Sequence, residues 1–196
     1  DNFNRPDGSL TGTSPTPGPG GVWTDHSGTT GDLLLSGGQA VVQHGTPSED
    51  THTLFAGQTT GILEANFDVT VNGDSPISGG DYEYFAHFFT EGSFNFRSRV
   101  DVVAATGGGD YTFGISSGTS TAEATFPVDF DFGETVNMTI AFDLDTGIGS
   151  LTIGATTVSG TGAILGENLD SFALRQSDSS NNETVLVDNL VVTQIP

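Results

Sequence analysis

Apolar and polar residues alternate without interruption over residues 62–71, with Leu63, Ala65, Phe67, Val69 and Val71 on one side and Glu64, Asn66, Asp68 and Thr70 on the other. A period of two over that length predicts a strand with one face in a core and one in water. Residues 94–105 repeat the pattern: Phe94, Phe96, Val100 and Val102 fall one way, and Asn95, Arg97, Arg99 and Asp101 the other. Residues 82–89 are apolar on both faces apart from Glu83 and His87, which predicts a central strand covered on both sides. Alternation places that His87 with Glu83, Phe85 and Phe89. Residues 33–35 and 40–42 flank Ser36-Gly37-Gly38-Gln39 and read as a hairpin turning at Gly37-Gly38. Further strand segments are 111–116, 122–126, 135–144, 150–153, 172–174 and 185–192.

Roughly a dozen short strands separated by Gly, Asp and Ser turns predict an all-β fold, a two-sheet antiparallel sandwich. The spacings are too short for helical crossovers, which excludes a doubly wound α/β fold. One domain over residues 1–196 accounts for the length, since a sandwich of this size buries a sizeable core. Residues 1–21 read as an extended lead-in, rich in Gly and Pro over its second half.

Composition sharpens the function classes. Against 25 acidic residues stand four Arg and no Lys, a net charge of −21. Nucleic acid is excluded as a partner, because its binding rests on basic groups that displace counterions from phosphate. An anionic membrane is disfavoured for the same reason. Such a surface does attract cations, and it keeps an exported protein soluble. With no Cys, neither disulfides nor thiolate metal sites are available.

Four constellations carry possible chemistry. Asp129-Phe130-Asp131-Phe132-Gly133-Glu134 is a poor match to the paired carboxylates of a glycanase strand, and Gly133 favours a hairpin instead. Asp143 and Asp145, in Asp143-Leu144-Asp145-Thr146-Gly147, match the opening of a calcium loop, yet position 154 holds Gly where a bidentate Glu would complete it. An ordinary turn is favoured, with calcium as the minority reading. His87 stands out among the four His as a structural residue on a central strand rather than a base. Arg97 and Arg99 share a strand face, and Arg175 lies opposite the Phe172/Leu174 face of another. These three Arg and His87 are the candidate ligand-binding set; the more conservative reading is a row of cross-strand ion pairs.

The opening Asp1-Asn2-Phe3-Asn4-Arg5-Pro6-Asp7-Gly8-Ser9-Leu10 and Trp23-Thr24-Asp25-His26-Ser27-Gly28 resemble bacterial exported proteins with concanavalin/laminin-G-like jelly rolls. The stretches Tyr84-Phe85-Ala86-His87-Phe88, Phe96-Arg97-Ser98-Arg99-Val100, Phe172-Ala173-Leu174-Arg175-Gln176-Ser177 and Val187-Asp188-Asn189-Leu190 extend the likeness over nearly the whole chain. Such proteins often carry a PEP-CTERM sorting tail, which would begin where Gln194-Ile195-Pro196 stand. The resemblance implies export to a bacterial surface or biofilm matrix and supplies no activity, and the lack of a convincing catalytic constellation leaves a non-enzyme as the expectation; a start at Asp1 fits a processed, secreted chain. The favoured expectation is a structural or adhesive matrix protein that self-assembles through edge strands, with the first ten residues or a C-terminal strand pairing to a second copy and the strands at 62–71 and 185–192 left unguarded by Pro. A carbohydrate-binding module taking extracellular polysaccharide on the Arg97/Arg99/Arg175 face is the alternative, and a glycoside hydrolase the third.

Overall fold

Strands that are apolar on one side bury that side only by stacking sheet on sheet. In the computed structural model, which describes residues 1–18, 20–44, 48–79, 84–176 and 181–196, no helix occurs among the described residues. The strands are β1 (Gly8–Ser9), β2 (Thr24–Gly28), β3 (Leu34–Ser36), β4 (Gln39–Gln43), β5 (Glu49–Gln58), β6 (Ile62–Asn72), β7 (Tyr84–Phe89), β8 (Arg97–Val103), β9 (Thr112–Ser116), β10 (Ala124–Thr125), β11 (Thr135–Asp143), β12 (Ile148–Ile153), β13 (Thr156–Ser159), β14 (Leu169–Arg175) and β15 (Thr184–Ile195). A back sheet of eight strands runs β1-β3-β4-β15-β6-β11-β12-β13, and a front sheet of seven runs β10-β9-β8-β7-β14-β5-β2. Every strand pairing is antiparallel.

The alternation in β6 is realised: Leu63, Ala65, Phe67, Val69 and Val71 are fully buried. Its polar side carries an amide ladder, in which Asn66 Nδ2 donates to Asn137 Oδ1 (3.0 Å) and Asn137 Nδ2 to Asp68 Oδ1 (2.8 Å). The β3–β4 hairpin turns at Gly37 and Gly38, at φ of 60° and 81°. Two successive positive φ values match the twist of the flanking strands and are open to glycine at little cost.

Every residue of β7 is buried, and the strand sits mid-sheet between β8 and β14, covered on both faces. Which residue takes which face differs from simple alternation. Tyr84 pairs with Asp101 and Ala86 with Val100, so β7 holds one extra residue there, a bulge that reverses the side-chain sequence. Phe85 therefore enters the core, 6.4 Å from the Phe67 ring, while Tyr84 joins Phe89 in a separate outer cluster. Glu83 lies outside the described residues. A second irregularity, at Ser98 with φ of 47°, sends Phe96 to that outer cluster while Val100 and Val102 stay in the core. Phe94 precedes β8 altogether and is 76% exposed.

The N-terminal residues are no loose lead-in. Phe3 and Leu10 are fully buried in the core. The Asp1 carboxylate accepts from Trp23 Nε1 (2.9 Å), Arg5 Nη1 (2.7 Å) and the Phe3 amide (2.9 Å). Buried Glu49 accepts from the Thr11 hydroxyl (2.6 Å) and from the Gly31 and Leu33 amides, tying the segment to the start of β5. The strands expected to offer free edges are interior: β6 lies between β15 and β11, and β15 between β4 and β6. The outermost strands are β1, β13, β10 and β2, of which β1 and β10 have two residues each, too short to template a neighbour well.

Deleting residues 1–21 is therefore expected to abolish cooperative unfolding rather than leave the sandwich intact, as thermal melts by circular dichroism will show. Trp23→Ala should cost about 3–5 kcal/mol, as large aromatic truncations in cores do.

Candidate functional site

On β14, Phe172 and Leu174 point into the core, so Ser171, Ala173 and Arg175 face outward from the front sheet. Register then decides their neighbours. Ala173 stands opposite His87 on one side and His52 on the other, and Arg175 stands opposite Asp50. Because Ala173 is small, the rings around it converge. His26, from β2, stacks on Phe89 at 4.6 Å, and its Nδ1 lies 3.2 Å from Nδ1 of His52. His87 packs against Phe96 at 4.5 Å. The Arg99 guanidinium lies over Tyr84 (4.6 Å) and Phe96 (5.1 Å), and Arg175 lies over Tyr84 (4.1 Å).

Burial governs the electrostatics of this face. It holds the His26 pKa at about 4, with nearby His52 adding to the drop. His87, fully buried, is driven well below the ordinary value by the same cause, then by His26 and Arg99. His52 is lowered too, again chiefly by burial. All three rings are thus neutral near neutral pH. Burial raises Asp50 to about 7 against the pull of Arg175, so this carboxyl is partly protonated in the same range.

The structure brings together Arg99, Arg175 and His87 as the sequence suggested, and sets Arg97 at the border of the group. A uniform ion-pair row does not form. Arg97 Nη2 bonds Glu167 Oε1 at 2.8 Å, and Arg175 Nε approaches Asp50 Oδ1 at 3.8 Å. Arg99 has no carboxylate partner among the described residues. For His87, no hydrogen-bond partner among the described residues reaches Nδ1 or Nε2.

Asp143 and Asp145 sit in the β11–β12 turn. Asp143 Oδ1 accepts from the amides of Asp145 (2.9 Å) and Thr146 (3.0 Å), and Asp145 Oδ2 accepts from Gly61 N (3.3 Å). Gly147 closes the turn at φ of 72°, where a Cβ would meet the Ile164 backbone at 2.3 Å. Among the described residues no group of three His, Asp or Glu side chains is arranged to hold a metal ion. Asp129 accepts from the amides of Thr106 (2.8 Å) and Gly107 (2.5 Å), and Asp131 N donates to Glu134. These carboxylates belong to a loop, not to a catalytic strand.

Sequence reasoning missed β5, which supplies Asp50 and His52, because its first five residues are polar yet buried. The signal available was Thr51, Thr53 and Phe55 at a period of two. It also missed His26 as a member of the face, and the exposure of Phe94. Elsewhere, a groove of about 670 Å³ lies between the N-terminal segment, β5 and β15, lined by Pro15, Pro17, Leu54, Leu190 and Val191 among others. Its one carboxylate, Asp1, is already engaged by Arg5 and Trp23. The outer face of the front sheet holds the more distinctive chemistry.

Two outcomes follow from these groups. His26 takes a proton in the folded state only near pH 4, against 6.5 when unfolded, so its contribution to stability is lost as pH falls through that window. His87 acts in the same direction, and Asp50 in the opposite one, since its raised pKa makes stability fall as pH rises toward 7. His87→Leu should therefore raise stability at pH 7 by about 1–2 kcal/mol and shrink the loss between pH 7 and pH 4.5, measured by thermal melts against wild type. Chelator should leave the melting temperature unchanged, whereas a drop reversed by calcium would restore the calcium role of Asp143 and Asp145.

No protein-family model and no curated protein sequence matches the chain. Solved structures do resemble it. A sialidase structure superposes with a TM-score of 0.62 at 12% identity, over 88% of this chain but only 17% of its own. The seed lectin of Lotus tetragonolobus matches with a TM-score of 0.57 at 11% identity, over 96% of this chain and 98% of the lectin. The carbohydrate recognition domain of Emp47p matches with a TM-score of 0.56 at 11% identity, over 95% and 93%. At such identities the likeness concerns the course of the backbone, and on that basis the chain has the legume-lectin-like, concanavalin-type jelly-roll β-sandwich fold.

Proposed function

We propose that this chain is a non-catalytic carbohydrate-binding domain that works outside the cell on polysaccharide. The observation that carries the reading is Phe94, whose ring is 76% exposed on the loop between β7 and β8. That loop is pinned: Ser93 N donates to Thr90 O (3.0 Å), Thr90 Oγ1 to Asn168 O (2.7 Å), and Glu91 N to Asp170 Oδ1 (2.8 Å). Phe94 meets Phe96 edge to face at 6.1 Å, which braces the ring at the border of the aromatic cluster. Beside it stand Asn95, whose Nδ2 lies 3.4 Å from Glu167 Oε2, and the Arg97–Glu167 pair.

A pyranose has an apolar face of C–H groups and a belt of hydroxyls. An exposed aromatic ring suits the first, and convergent amide, carboxylate and guanidinium groups suit the second. A seed lectin and a carbohydrate recognition domain share the fold, which adds support. Self-assembly, the expectation favoured from sequence, loses the parts it relied on, because the first residues are packed into the core and β6 and β15 are interior.

In titration calorimetry against a panel of soluble polysaccharides, wild type should bind at least one member. Phe94→Ala should weaken that binding about tenfold or more at unchanged folding, since an exposed side chain contributes within about 0.5 kcal/mol to stability. Equal binding by the variant, or none by wild type, would sink the assignment. Sedimentation at high protein concentration in salt should show a monomer, with filaments reinstating the matrix role. Recovery from the culture medium or surface fraction tests the location.

A further inference from the structure

We infer that the saccharide taken by this face is acidic, with its carboxylate received by Arg99. The inference rests on the carbohydrate-binding reading and narrows it to a substrate class.

Four Arg stand against 25 acidic residues in this chain. Under such an excess, finding a carboxylate is easy for a cation, and three of the four do so: Arg5 with Asp1 at 2.7 Å, Arg97 with Glu167 at 2.8 Å and Arg175 with Asp50 at 3.8 Å. Arg99 is the exception. Among the described residues nothing accepts from its guanidinium, and its Nε is buried without a partner. Asp101, two residues along β8, offsets part of its charge without forming an ion pair to it.

The group is nonetheless held in place. Its Cζ lies 4.6 Å from the Tyr84 ring centroid and 5.1 Å from that of Phe96. Cation–π contacts on two rings fix the guanidinium without using its N–H donors. A half-buried, oriented guanidinium whose donors meet no acceptor among the described residues presents a planar fork, and the matching partner is a planar carboxylate bound through parallel N–H···O bonds. Arg175, on the same Tyr84 ring at 4.1 Å, adds positive charge beside it.

Position links this fork to the proposed sugar platform. Phe96 stands between them, its ring 6.1 Å from Phe94 and 5.1 Å from the Arg99 guanidinium. A chain stacked on Phe94 thus runs toward Arg99. The overall charge of −21 opposes a polyanion at long range, but at physiological ionic strength that field is screened beyond about 8 Å, so local contact decides.

The test is titration of the full chain with polygalacturonate, its fully methyl-esterified form, dextran sulfate and neutral dextran. The inference is upheld if polygalacturonate binds, esterification removes the binding, and Arg99→Gln weakens it about tenfold or more, the equivalent of losing charge-assisted hydrogen bonds. Arg99→Lys keeps the charge without the fork and should fall between wild type and Arg99→Gln, which decides the matter should the Gln variant not fold. Preference for dextran sulfate over polygalacturonate overturns the carboxylate assignment. Binding of neutral or esterified glycan that Phe94→Ala weakens and Arg99→Gln leaves unchanged overturns the acidic inference while keeping the carbohydrate reading. Failure to bind any glycan removes both.

Discussion

Contact between the middles of the two sheets sets everything else in this protein. Phe67, from β6 at the centre of the back sheet, meets Phe172 at 5.8 Å and Phe85 at 6.4 Å from the centre of the front sheet. Once Phe172 faces inward, the period of two turns Ala173 and Arg175 outward, and pairing places His87, His52 and Asp50 beside them. The outer cluster is thus a consequence of inner packing.

That dependence explains what was legible in the sequence. β6 and the Gly37-Gly38 hairpin could be read because one face of each strand is uniformly apolar or because the turn chemistry is local. The outward direction of Arg99 and Arg175 was legible for the same reason, whereas Arg97, in register with core-facing Phe88, does not share it. Bulges were not. The extra residue between Tyr84 and Ala86 and the positive φ of Ser98 arise from pairing with distant strands, and nothing in the local sequence marks them. Each moved an aromatic residue across a sheet, and in doing so built the Tyr84/Phe96 clamp on Arg99. β5 escaped notice because burial of Glu49, Asp50 and His52 depends on partners far away in sequence, among them the Gly31 and Leu33 amides and Arg175.

The same face illustrates how an acidic chain handles its few cations. Cation–π contact and ion pairing are both available to a guanidinium, and here they are distributed unevenly: Arg97 relies on a carboxylate, Arg99 on rings, and Arg175 on both. Three neutral imidazoles fill the remaining space, so the cluster keeps polar atoms without adding charge at neutral pH.

The place of β15 has a consequence for how the chain reaches its native state. As the last strand in sequence it lies in the interior of the back sheet, between β4 and β6, and its residue Leu190 also bonds to Asp1 at the opposite end of the described chain. Such contacts join residues far apart along the sequence, and topologies dominated by them fold slowly. Until residues 184–195 arrive, β4 and β6 each show an unpaired edge in the middle of what will become the back sheet, and open edges invite pairing between chains. Emergence from a ribosome therefore cannot be accompanied by stepwise completion of the back sheet from its N-terminal side. A chain truncated before Thr184 is an aggregation hazard rather than a smaller sandwich.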